Sequence, residues 1–148
     1  MATRTAWTQL YMDVLHHRLG LNAVAEPGHL HVTDGSDWHY LLATDPDTTP
    51  HHLQISFPVS YGGFDVLDTQ PRLMGSIGIR LNTATDLVKV APTSPTGCLY
   101  IIHAHLAAPG TLPSPDLLAA LLPSWFALLV DAHQQLLTEI EAATLYSA

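Results

Sequence analysis

A chain of 148 residues with 47% hydrophobic content is long enough to bury a real core and too apolar to stay disordered. Its net charge of −8, with five Lys and Arg against thirteen Asp and Glu, argues strongly against nucleic acid, whose phosphates need cations, and against an anionic membrane surface. Charged residues make up only 12%, about half the usual share, so the surface must present neutral or apolar groups, which favours a partner surface or an oligomer interface.

The first expected element is a helix capped by Thr3 or Thr5. Trp7, Leu10, Tyr11, Val14 and Leu15 recur at helical spacing and form one apolar stripe. His17 and Arg18 fall in the last turn, and Gly20 followed by Leu21 reads as a left-handed cap. Pro27-Gly28 breaks the chain before a strand at His29–Asp34. Gly35-Ser36 turns it into a second strand, Asp37–Thr44. After the turn-rich loop Asp45–Pro50, His51–Val59 alternates as a third strand.

Val66–Asn82 is read as a helix, with Pro71 in its first turn and Leu73, Met74, Ile77 and Leu81 on one face. Ile77, Ile79 and Leu81 also alternate, and Gly75 and Gly78 weaken a helix. Strands at Asp86–Ala91 and Cys98–Ala107 follow. Ser114-Pro115-Asp116 then starts the closing helix, with a cap, a proline in the first turn and an acid near the positive end. Pro123 is expected to divide that helix in two. Its greasy stretch Leu117–Val130 is 14 residues long, short of the ~18 that suggest a membrane span. The start, Met1–Trp7, lacks the apolar core of a signal peptide. The single cysteine, Cys98, forms no internal disulfide and fits a reducing cytoplasm.

Alternation assigns faces. Cys98, Tyr100, Ile102, Ala104 and Leu106 point to the core, so Leu99, Ile101, His103 and His105 point away. By the same logic Leu30 and Val32 face in with His29 and His31 out; Trp38, Tyr40 and Leu42 in with His39 out; Leu53, Ile55 and Phe57 in with His52 and Gln54 out. Six of the ten histidines thus share the face of the sheet opposite the helices.

Two chemistries compete for that face. His29, His31, His103 and His105, as two His-x-His pairs, are the ligand set for a transition metal such as zinc. The simpler reading is that histidine serves as a neutral polar residue on a solvated sheet. Protonating all ten histidines would turn −8 into +2, so mild acid changes the surface field strongly. Gly97 with His103-Ala104-His105 also resembles the opening of the cupin metal motif. The glutamate expected next is missing, with Ala108, Pro109 and Gly110 in its place, so the match is taken as chance. There is no phosphate loop, since Gly75-x-x-Gly78 lacks the Lys-Ser/Thr that should follow, and no serine elbow. Asp45 and Asp47 flank Pro46 in a turn. Cys98 is expected in the core, as an inert packing residue.

The run LMGSIGIRLN (residues 73–82), a short gap, DLVKVAPTSPTGCLYIIHAHLAA (residues 86–108) and a helix from Ser114 together resemble the YbjN-like and type III secretion chaperone-like proteins. In that pattern a middle helix ends in a Leu-Asn pair, here Leu81-Asn82, before a two-strand hairpin and a closing helix. The resemblance implies an α+β fold: a two-layer α/β sandwich ordered αβββαββα, with a five-stranded antiparallel sheet and helices on one face, as a single domain over residues 1–148. Secretion chaperones of this fold are acidic homodimers that hold a partly unfolded segment of another protein without enzymatic activity. The expected function is accordingly a non-enzymatic, cytoplasmic, homodimeric binding module without a cofactor. Leu41, Leu99 and Ile101 are the expected contacts with another protein or a second copy.

Overall fold

The computed structural model describes residues 4–34, 38–43, 52–60, 87–94, 97–108 and 111–147. Helix α1 (Arg4–Asp13) buries Trp7 and Tyr11 and runs into a π turn, Val14–Arg18, that buries Val14 and Leu15. The stripe expected from the sequence is therefore present, but its last turn is wider than an α-turn. The Leu19 N–H donates to the Val14 carbonyl at 3.0 Å, five residues back. Gly20 closes the element at φ +65°, in the left-handed region that glycine occupies freely, and the Leu21 N–H donates to the Leu15 carbonyl at 2.8 Å. The Trp7 indole N–H and the Tyr11 hydroxyl are buried, and among the described residues neither closes a hydrogen bond within 3.5 Å. Burial pushes the Tyr11 hydroxyl up to about 12, and the nearby Trp7 N–H offsets part of the rise.

The strands are β1 (Asn22–Glu26), β2 (His29–Thr33), β3 (His39–Ala43), β4 (His52–Ser60), β5 (Val88–Ser94) and β6 (Gly97–His105). They form a six-stranded antiparallel sheet in the order β1-β2-β3-β4-β6-β5. The chain is α+β, as its sequence implies, but the described residues already hold one strand more than expected. The addition is β1. Its sequence, Asn-Ala-Val-Ala-Glu, carries two alanines where a strand normally shows bulky residues, and only Ala23 is buried. Pro27-Gly28, read as a chain break, is the turn of a β1–β2 hairpin. Gly28 has φ +82°, the conformation that a Pro-Gly turn needs at its second central position.

One edge of the sheet is partly covered. The His16 Nε2 lies 2.8 Å from the Ala23 carbonyl and 3.2 Å from the Ala23 N–H. It donates to the first in one tautomer and accepts from the second in the other. Widening the last helical turn delivers this ring to the outer side of β1.

The other described helix, α2 (Pro115–Ser147), is continuous through Pro123 rather than divided there. The Ser114 hydroxyl accepts from the N–H groups of Asp116 at 3.2 Å and Leu117 at 3.4 Å, the cap expected from the sequence. Pro123 is exposed. On either side of it Leu118, Leu122, Trp125, Phe126, Leu129 and Leu136 are buried at heptad-like spacing, and this packing holds the helix together. By length and composition Pro115–Glu139 is long and apolar enough to cross a membrane, although its greasiest run is short. The expected middle helix, Val66–Asn82, lies outside the described residues.

The chain divides into two compact units, Met1–Ser56 with Ile102–Phe126, and Phe57–Ile101 with Ala127–Ala148. In the first, Tyr40 stacks on Phe126 with ring centres 4.3 Å apart, and Leu30, Val32, Leu42, Leu53 and Ile55 are buried. Burial, together with the Asp34 carboxylate that its hydroxyl meets, pushes Tyr40 up to about 12. Arg18 and Asp116 pair at 2.6 Å on the surface of this unit, a contact worth about 1 kcal/mol or less. In the second, Phe57, Tyr100 and His133 meet edge-on or tilted, with centroids 5.6–6.2 Å apart.

Candidate functional site

Most of the inward assignments hold, but Trp38, Ala104 and Leu106, also expected in the core, are only half-buried. Leu30, Val32, Tyr40, Leu42, Leu53, Ile55, Phe57, Cys98, Tyr100 and Ile102 are all buried, and Cys98 is a buried free thiol. The residues between them lie nearer the surface: His29, His31, Leu41, Leu99 and Ile101 are half-buried, and His39, His103 and His105 are exposed.

Within the first unit, register builds a cluster on that outward side. Glu26 stands opposite His29, Val24 opposite His31, and His31 in turn opposite Leu41; Thr33 stands opposite His39. One Glu26 oxygen lies 2.8 Å from His29 Nε2 and the other 3.3 Å from His31 Nδ1. The far nitrogen of His31, Nε2, is 2.7 Å from His39 Nδ1, with ring centres 4.9 Å apart. A carboxylate only accepts, so His31 donates from Nδ1. One proton then lies between His31 Nε2 and His39 Nδ1, and which ring carries it depends on the tautomers. The two imidazole hydrogen bonds, from His29 first and His31 second, hold the Glu26 carboxyl below its ordinary value.

The four histidines expected to share a metal do not converge. His29 and His31 lie on β2 and His103 and His105 on β6, with β3 and β4 between them in the sheet. Three strand spacings amount to roughly 14 Å, several times the reach of one ion. Among the described residues no three His, Cys, Asp or Glu side chains form a ready-made metal cage. The structure instead joins His29 and His31 to Glu26 and His39. Glu26 escaped the sequence reading because its strand did. The clue was the Glu-Pro-Gly-His run, in which a two-residue turn sets the flanking residues face to face.

His133 was also missed. It is 2% exposed, and the Tyr100 hydroxyl lies 3.3 Å from its Nδ1. Its position four after Leu129 and three before Leu136 places it on the buried stripe of α2, which was visible in the sequence. Burial lowers its pKa below the usual 6.5. Below pH 6.5 the unfolded chain therefore takes up a proton that the folded chain refuses, and stability falls as pH drops from there toward the lower folded value. The slope has a ceiling of about 1.4 kcal/mol per pH unit for one proton. His133→Gln should flatten urea-unfolding stability between pH 6.5 and 5 by that one proton; an unchanged slope would show that His133 charges freely in the fold. The depressed Glu26 carboxyl acts lower, its contribution being lost as pH falls below 4.5.

Comparison of the chain with family models, curated proteins and solved structures finds no match in any of the three. The functional reading therefore stands on the residues themselves.

Proposed function

We propose that the chain is a non-enzymatic protein-binding module, chaperone-like or regulatory, that acts as a cytoplasmic homodimer with the two-layer fold of the YbjN-like and secretion-chaperone-like proteins. The supporting observation is the apolar surface left outside the core. Val24 is 52% exposed, Leu128 40% and Leu117 38%, while Leu41, Leu99 and Ile101 remain half-buried beside fully buried neighbours. Only 12% of the residues are charged, so much of the surface is neutral or apolar. Burial against a second copy or a client segment would remove it from solvent, and the net negative charge would keep the free protein soluble.

Sedimentation equilibrium of the wild type and Ile101→Asp tests this. The wild type should be a dimer. The substitution should weaken association by about thirtyfold or more, the loss of an interface anchor worth about 2 kcal/mol, with the far-ultraviolet spectrum unchanged. A monomeric wild type that takes up no unfolded peptide would remove the proposal. An unfolded Ile101→Asp would show that the side chain belongs to the core.

A further inference from the structure

We propose that His31 and His39 form a two-nitrogen site for a single transition-metal ion of the imidazole-preferring class, Zn2+, Ni2+ or Cu2+, with Glu26 as the positioning residue behind His31. The inference goes beyond the binding-module reading and is independent of it. His31 Nε2 and His39 Nδ1 are 2.7 Å apart with one proton between them. With ring centres 4.9 Å apart the two nitrogens face each other almost head-on along that line. If His39 carries its proton on Nε2 instead, a neutral tautomer, both facing nitrogens present lone pairs and no proton need leave the protein.

Two ligands at the usual 2.0–2.1 Å from an ion need a nitrogen–nitrogen separation of roughly 3.3 Å for a tetrahedral angle. From a head-on 2.7 Å the nitrogens must therefore part by about 0.6 Å, and both rings must swing until their lone pairs meet on one ion. His39 is exposed and His31 half-buried, so side-chain rotation suffices and the strands need not move. Water fills the remaining positions. Glu26 supplies what an isolated histidine pair lacks. By accepting from His31 Nδ1 it fixes Nε2 as the metal-facing atom and raises its basicity, the carboxylate–histidine–metal arrangement. Its second oxygen holds His29 and so anchors the carboxylate from the other side. Imidazole ligation selects Zn2+, Ni2+ and Cu2+ over Mg2+ and Ca2+, which prefer oxygen.

The test is calorimetric titration of the untagged full chain with ZnCl2 and NiCl2, together with electron paramagnetic resonance after one equivalent of Cu2+. One ion per chain is expected, with nitrogen splitting from two imidazoles. His31→Ala and His39→Ala should each abolish that stoichiometric ion, Glu26→Gln should weaken it about tenfold, and His103→Ala with His105→Ala should leave it in place. Because His39 is exposed, its variant separates loss of a ligand from loss of fold, and circular dichroism verifies this. The proposal is overturned if the wild type shows no saturable binding, if His31→Ala and His39→Ala bind like the wild type, or if the ion is lost with His103 and His105.

Discussion

Phe57→Ala should lower the free energy of unfolding by about 3–5 kcal/mol, the cost of deleting a buried aromatic ring and leaving its space unfilled. Phe57 has no exposed surface. Its ring lies 6.0 Å from Tyr100 and 6.2 Å from His133, tilted to the first and edge-on to the second, so truncation removes aromatic contacts worth about 0.5–1.5 kcal/mol each beyond the area term. The unit Phe57–Ile101 with Ala127–Ala148 draws its described core from few large side chains, among them Phe57, Tyr100, Leu129 and Leu136, so little is available to collapse into the gap. A typical domain has only 5–15 kcal/mol of stability, so a loss of this size is a large share of the whole. Urea unfolding should show the midpoint falling with the slope unchanged. A loss below about 1 kcal/mol would mean that this ring does not pack as described.

Pro123→Ala should act in the opposite direction. Proline in a helix interior is about 3 kcal/mol less favourable than alanine, because it lacks the N–H and its ring crowds the preceding turn. Here the missing donor leaves the Ala119 carbonyl without its helical partner. Proline also stiffens the unfolded chain, which returns about 0.4–1 kcal/mol to the wild type. The net expectation is a gain of about 2 kcal/mol, read as a rise in melting temperature of roughly 4–8 °C for a chain of this size. Because Pro123 is exposed, the substitution disturbs no core contact. A melting temperature that falls would show that the proline supports a bend on which the packing of α2 depends.

The legible parts of this chain were those in which one periodic signal acted alone. The stripe from Trp7 to Leu15, the alternation from Leu30 to Val32, from Leu53 to Phe57 and from Cys98 to Ile102, and the Ser114 cap all reappear in the structure. The failures came where the signal was weak or where two effects opposed each other. Strand β1 has small side chains and a single buried residue, and its identity comes from pairing with β2 rather than from its own pattern. At Pro123 the local rule predicted a break, but buried side chains on both sides hold the helix continuous. The π turn at Val14–Arg18 differs from an α-turn by one residue of hydrogen-bond register, a difference that apolar spacing over five residues does not record.

For the outward histidines, alternation pointed to the surface side of each strand but not to the partners. Strand order decides partners, and it depends on long-range pairing. Adjacency of β2 and β3 brings His31 to His39, and β3 and β4 keep His29 and His31 away from His103 and His105. Alternation sent Leu99 and Ile101 outward, and these two with Leu41 are half-buried rather than fully exposed. What covers them is a question of association, which Ile101→Asp addresses.

The imidazole of His16 has a consequence for how copies of this protein meet. An open strand border invites a neighbouring chain to zip on through its main-chain groups, the first step of fibril growth. Any newcomer arriving alongside Asn22–Glu26 meets the His16 ring seated against Ala23, bonded to its carbonyl in one tautomer and to its N–H in the other, and must displace that ring to pair there. The widened turn at the end of α1 thus places a side chain where an added strand would have to pair.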